Sequence, residues 1–277
     1  MKNKLTVLHT ILIIFIVLGT AWLFRGRIEN LWNDWMTNDP TPEPIAFTDF
    51  LNANSAQHAN KNNNANENTN EVINENINTN TDTEPIEIPP EINLDVPFTT
   101  QAPYANWDEP YDEACEEASA ITVHYYYQGN TFTKETADQE ILDLVAWEED
   151  YFGFYKDTTA EETAELMREY WGYEKVETIY DPTIEDIKKN VAAGRPVIVP
   201  SAGRELGNPN FTAPGPLYHM LVVRGYTANN FITNDVGTRN GENYQYAFDV
   251  LMNSIHDWND GDVYNGQRVV VVAWPNQ

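Results

Sequence analysis

The sequence predicts an α+β fold in which N-terminal helices, the first opening on the lone cysteine, pack against a C-terminal antiparallel β-sheet. Three observations lead there. Between Tyr111 and Gly194 the chain shows repeated helix-start signals and few strand-like runs. After Gly194 the pattern changes to short, β-branched apolar runs bounded by Gly, Pro and Asn. Segregated helices and strands of this kind indicate α+β rather than alternating α/β. Finally, the first ninety residues lack the composition of a core, so the folded part is 91–277, long enough for one well-buried domain.

Taken in order, Lys2 and Lys4 precede an apolar run from Leu5 to Phe24. About 20 residues in a helix span the hydrocarbon core of a bilayer. Residues 1–27 are therefore expected to be an uncleaved signal anchor. Gly19-Thr20-Ala21 is a poor cleavage site, and cleavage with secretion is the alternative. Residues 28–90 are expected to be a disordered Asn/Pro-rich stalk. Within it, Trp32, Trp35, Phe47 and Phe50 suit a short amphipathic helix at the membrane surface. From Asn52 to Asp82 asparagine dominates, without the apolar area that would offset ordering entropy.

Ile92 to Phe98 alternates as a strand does. Asp112 suits an N-cap, and Ala114 to Tyr127 continues as a helix until Gly129. Thr133 to Trp147 is the second expected helix. A capping box built from Thr158 or Thr159 with Glu161 or Glu162 opens a third, running to Trp171. Thr183 and Asp186 cap a fourth, ending at Gly194. Residues 196–200, 219–224, 231–235 and 268–274 are the expected strands.

Charge narrows the partners. The chain carries 43 acidic and 16 basic residues, a net of −27. Such a field argues against nucleic acid, whose phosphates need Lys and Arg neighbours, and against tight docking on anionic lipid, and favours cationic or neutral partners. One cysteine excludes an internal disulfide and a Cys-rich zinc site. Residues 254–262 have the composition of a calcium loop, but their glycine is out of phase with the EF-hand pattern, so no metal and no cofactor is expected.

Chemistry concentrates on Cys115. At a helix start its thiol feels unpaired N–H groups, which favour the nucleophilic thiolate, while Glu116 and Glu117 beside it oppose ionisation. A buried small hydrophobe is the alternative for any single cysteine. His124 lies about 900° further round the same helix and points away. His256 falls in a polar loop. His219 opens an apolar strand, and pairing Leu221–Arg224 with Asn230–Thr233 through a five-residue loop places it opposite Asp235. A carboxylate there would hold the imidazole's tautomer and stabilise its charged form. Trp107, on the loop between Gln101 and Cys115, and Asn234, next to Asp235, are the expected substrate contacts.

Val96-Pro97-Phe98 with Gln101, Cys115 at a helix start, His219 through Tyr226, and Ile232-Thr233-Asn234-Asp235 together resemble the stand-alone C39-like cysteine peptidases. The resemblance covers roughly residues 91–275 and implies a papain-like fold. It implies Cys115 as nucleophile, His219 as general base and acid, Asp235 as orienter and Gln101 as an oxyanion-hole donor. The expected function is thus an extracytoplasmic, membrane-tethered cysteine peptidase, a monomer acting on a peptide or protein. The alternatives are a non-catalytic peptide- or cell-wall-binding module of the same fold and a cysteine acyltransferase.

Overall fold

The computed structural model describes residues 39–53 and 87–275. The expected anchor and the Asn-rich tract of 54–86 lie outside the described residues. Among the described residues no helix is long and apolar enough to cross a membrane.

Among the described residues, besides a short helical stretch at 47–53, α-helices α1 (Cys115–Gln128), α2 (Lys134–Tyr151), α3 (Ala160–Glu169), α4 (Ile184–Ala192) and α5 (Phe248–Ser254) flank one sheet. The strands are β1 (Ile92–Asn93), β2 (Lys175–Tyr180), β3 (Val197–Ala202), β4 (Tyr218–Tyr226), β5 (Asn230–Asn234), β6 (Tyr244–Ala247) and β7 (Val269–Trp274). They pair in the order β2-β7-β3-β4-β5-β6, all antiparallel, with β1 added to the far end of β4. The α+β class and the helix-on-sheet arrangement are as expected, with the cysteine helix lying on the sheet that carries the histidine.

The helix starts follow from side-chain caps. Thr133 with Thr136, Thr159 with Glu162 and Thr183 with Asp186 each form a reciprocal capping box, satisfying N–H groups that the helix itself cannot. α1 starts differently. Tyr111–Glu113 form a 3₁₀ turn and the N-cap position is Ala114, which offers no side-chain acceptor. Asp112 is therefore not its cap. At the other end Gly129 takes the left-handed conformation (φ 65°), and its N–H bonds the carbonyls of Tyr125 and Tyr126.

α1 is buried on nearly every side, from Cys115 through Val123. Ala118, Ser119 and Ala120 are small enough to let β4, α2 and α3 approach it together. β3, β4, β5 and β7 are almost wholly buried and supply most of the core, including Val197, Val222, Phe231 and Val271. Such central strands read as continuous apolar runs.

Five expectations change. Strand pairing at 92–98 is confined to Ile92–Asn93, because the following backbone turns to meet the Arg224 side chain. The third helix stops at Glu169 rather than Trp171. β2 and β6 were not expected; both are partly exposed edge strands whose polar residues mask the apolar signal. The β4–β5 register aligns Val222 with Asn234 and Val223 with Thr233, two residues away from the expected pairing, and a bulge at Val223/Gly225 shortens the loop. Last, residues 39–53 of the expected stalk are docked on the domain. Ile45 bridges Leu94, Phe47 packs on the rings of Tyr126 and Tyr127, and Asp39 accepts bonds from Thr227 and Asn229. Phe47 and Phe50 are half-buried against the domain, while Ile45 and Leu51 stay exposed and Ile45 is held through its backbone. Trp32 and Trp35 lie outside the described residues.

Candidate active site

The start of α1, the start of β4 and the end of β5 converge on one cleft of about 610 Å³. Cys115, His219, Gln101 and Trp107 all line it, together with Phe211, Trp258 and Arg239. Each arrives by a simple route. The 3₁₀ turn at Tyr111–Glu113 aims the chain into α1 so that Cys115 is its first residue. His219 is the second residue of β4, with Ser201 of β3 beside it in the sheet. Asp235 follows the last residue of β5.

His219 Nε2 lies 2.9 Å from Asp235 Oδ1. A carboxylate can only accept, so Nε2 carries the proton and donates it, and Nδ1 keeps the lone pair in the neutral ring. The remaining valences of Asp235 are fully occupied. Its Oδ1 also accepts from the Gly237 N–H at 3.1 Å, and its Oδ2 accepts from Asn208 Nδ2 at 2.8 Å and Tyr246 Oη at 2.6 Å. Burial alone would raise this carboxyl, but the His219 charge and the bonds from His219, Tyr246 and Asn208 outweigh it and hold the group below its usual range. Asp235 is thus an anion locked in place, which fixes the imidazole's tautomer and orientation. The ring is held sterically as well. Phe211 meets it edge-on at 5.4 Å, and a β-carbon on Gly237 would come within 2.8 Å of His219 Cε1.

The two-residue change in register explains how the pair still forms. Side chains alternate faces with a period of two, so a slip of two preserves the face. His219 and Asp235 meet diagonally, and it is Gly237 that lies beneath the imidazole.

Cys115 is 6% exposed. Its thiol donates to Glu116 Oε2 at 3.0 Å, not to His219. Burial, then the charge of Glu116 and the bond to it, push the thiol well above its usual range, so it rests protonated. The helix-start effect expected to favour thiolate is outweighed in this state.

Gln101 sits in the cleft wall, its backbone N–H bonded to the carbonyl of Val236, one residue past Asp235. Its Nε2 donates to the carbonyls of Tyr111 (2.9 Å) and Asp112 (3.2 Å), bracing the turn ahead of Cys115. Trp107 is 46% exposed along the same cleft. Asn234 is different. It is completely buried, donates to Val96 and Pro97 carbonyls and accepts from Arg224, so it fastens β5 to the 94–97 segment and, unlike Trp107, does not line the cleft. His124 stacks on Trp171 at 4.4 Å and bonds Tyr173, away from the cleft as expected. His256 bonds the Gly266 carbonyl. Among the described residues no three His, Cys, Asp or Glu side chains are grouped to hold a metal ion.

Asn208, Gly237, Tyr246 and Glu116 contribute to the site without having been singled out as its members. Asn208 lies in the long loop before β4, and Tyr246 alternates with Tyr244 on the edge strand β6, which is the signal each carried.

The chain matches no curated protein. Among solved structures it is similar to one of a candidate C39-like peptidase from Bacillus anthracis, at 17% identity over 68% of this chain and 98% of that one, with a TM-score of 0.46. A model of the Peptidase_C39 like family matches residues 93–262, which include Gln101, Cys115, His219 and Asp235, and the chain belongs to that family.

Proposed function

We propose that the protein is a membrane-tethered, extracytoplasmic cysteine peptidase with Cys115 as nucleophile, His219 as general base and acid, and Asp235 as the group that orients His219. One observation carries the reading: a buried, fully satisfied Asp235 carboxylate holds His219 at 2.9 Å on the wall of the cleft that Cys115 also lines. The family match supports peptide-bond chemistry. The apolar run from Leu5 to Phe24 supports the tether.

In this mechanism a substrate carbonyl enters beside Cys115. His219 Nδ1 takes the thiol proton and the sulfur attacks the carbonyl carbon. Charge then develops on the carbonyl oxygen, where the Cys115 N–H at the helix start is one donor. Gln101 is the second, exchanging one of its bonds to the Tyr111 and Asp112 carbonyls for the oxyanion. His219 returns its proton to the leaving amine, which departs and leaves a thioester on Cys115. Water, deprotonated by His219, hydrolyses that thioester. Asp235 stabilises the imidazolium in both halves.

The test is hydrolysis of a mixed peptide library by the purified full chain, followed by mass spectrometry. Cys115→Ala and His219→Ala are each expected to lower turnover by about 10³-fold or more. Hydrolysis unchanged in Cys115→Ala would refute the assignment. Adding a primary amine and finding mainly amide product would move the reaction class to acyl transfer.

A further inference from the structure

Three carboxyl side chains lie in the interior directly beside and behind the nucleophile, with no basic partner. Glu116 and Glu117 follow Cys115 on α1 and are 2% and 0% exposed; Glu148, on α2, is 0% exposed. Glu117 and Glu148 face each other closely enough to share one proton between them and find no other side-chain partner. Carboxylates this deep and this close cannot all be ionised, so the group holds protons. Burial pushes all three upward, and each is pushed further by the charge of a neighbouring glutamate. Around Cys115 and Glu116 stand Glu117 from α1, Glu148 from α2, Asp157 from the turn before α3, and Tyr218 and His219 from β4. The only base lining the cleft besides His219 is Arg239.

Within this cluster Glu116 is singular, because its Oε2 is 3.0 Å from Cys115 Sγ and both groups line the cleft. We propose that Glu116 is a further catalytic residue that binds the Cys115 S–H in the resting enzyme and keeps the nucleophile a neutral thiol until substrate enters the cleft. This rests on the hydrolase reading above. On activation the S–H leaves Glu116 and turns to His219. The S–H bond breaks heterolytically, the proton goes to Nδ1, and the electron pair stays on sulfur to form the bond to the carbonyl carbon. That proton later leaves with the amine product. When water cleaves the thioester, the thiol is re-formed and Glu116 accepts it again. Such an arrangement protects an extracytoplasmic thiol from oxidants between turnovers, since the thiolate is the reactive form.

Because Cys115 is the only cysteine, two readouts report on it alone. In the wild-type full chain, Raman spectra at pH 7 are expected to show an S–H stretching band, displaced to lower frequency by the Glu116 carboxyl oxygen that accepts it. Absence of the band would mean a resting thiolate and would overturn the proposal with no variant needed. Glu116→Gln keeps the shape but replaces the carboxyl with an amide that cannot ionise. It is expected to move the midpoint of iodoacetamide alkylation down by at least about one pH unit, roughly tenfold faster labelling at pH 7, and to move the S–H band back up. Glu116→Asp, which withdraws the carboxyl by one carbon, should move both readouts the same way by less. An alkylation profile unchanged in Glu116→Gln would overturn the proposal. His219→Ala separates the two claims. If labelling depends on His219 while Glu116→Gln behaves as wild type, Glu116 has no such role and the hydrolase reading stands. If labelling is indifferent to His219, the handover to Nδ1 falls together with that reading.

Discussion

At the scale of single residues, the site is an anion held by four donors, an imidazole held by that anion, and a thiol held by a different carboxyl. Gly237 is the least replaceable of these on steric grounds. A methyl group there would approach His219 Cε1 at 2.8 Å and Phe211 at 3.1 Å, so the ring must move. Its conformation does not demand glycine, since its φ is not in the left-handed region. Gly237→Ala is therefore expected to fold normally yet lose about 10²-fold in kcat, the usual cost of misplacing a catalytic group by about 1 Å. Thermal unfolding within a few degrees of wild type, together with the kinetic loss, is the expected pair of measurements. Unchanged kcat would show that the ring tolerates the shift. Cys115, His219 and Asp235 were legible in the sequence because each stands beside a local signal: a helix start, a strand start and a strand end. Asn208 and Tyr246 act on Asp235 from 27 and 11 residues away, and Gly237, though only two residues past Asp235, meets His219 across the strands, which no local pattern encodes.

Elements show the same division. The helices with capping boxes were legible because Thr with Glu or Asp three residues on is a local signature. The start of α1 was legible but its cap was not: Ala114, not Asp112, holds the N-cap position, and burial rather than a side-chain cap stabilises that end. β2 and β6 were missed because an edge strand need bury only one face. The strap at 39–53 was hidden by its Pro-rich, acidic surroundings, although Ile45 and Phe47 are what hold it. It hydrogen-bonds through Ile45 to Asn93 and Asp95, and its Asp39 backbone and side chain bond Gln245, Thr227 and Asn229. It thereby supports β1, β4 and β6, the strands that carry or brace His219 and Asp235. A chain beginning at residue 39 should accordingly be more stable than one beginning at residue 87 by about 2 kcal/mol or more, comparable to removing one large apolar contact. Denaturant unfolding of the two chains measures this. Equal midpoints would mean that the strap lies on the domain without stabilising it.

Across the whole molecule, two buried acids push the pH dependence of stability in opposite directions. Asp235 is held below its usual range in the folded state, so its contribution is complete above the unfolded value and is lost as pH falls through the folded one. Glu148 runs the other way. Burial raises it to about 8, so the folded chain holds a proton that the unfolded chain releases above about 4.5. Between those values the folded state binds more protons than the unfolded state, and stability falls as pH rises. The net charge of −27 adds repulsion in the same direction as acids ionise. Stability should therefore peak at mildly acidic pH and decline through pH 8. Glu148→Gln removes the titrating proton without changing the shape, so it should flatten the alkaline limb and gain more than about 1 kcal/mol at pH 8, while leaving the acid limb set by Asp235 in place. Chemical denaturation of both proteins at pH 5 and pH 8 decides it. A wild-type chain equally stable at both values would mean that Glu117 and Glu148 ionise freely, and that the interior behind Cys115 is wetter than their burial indicates.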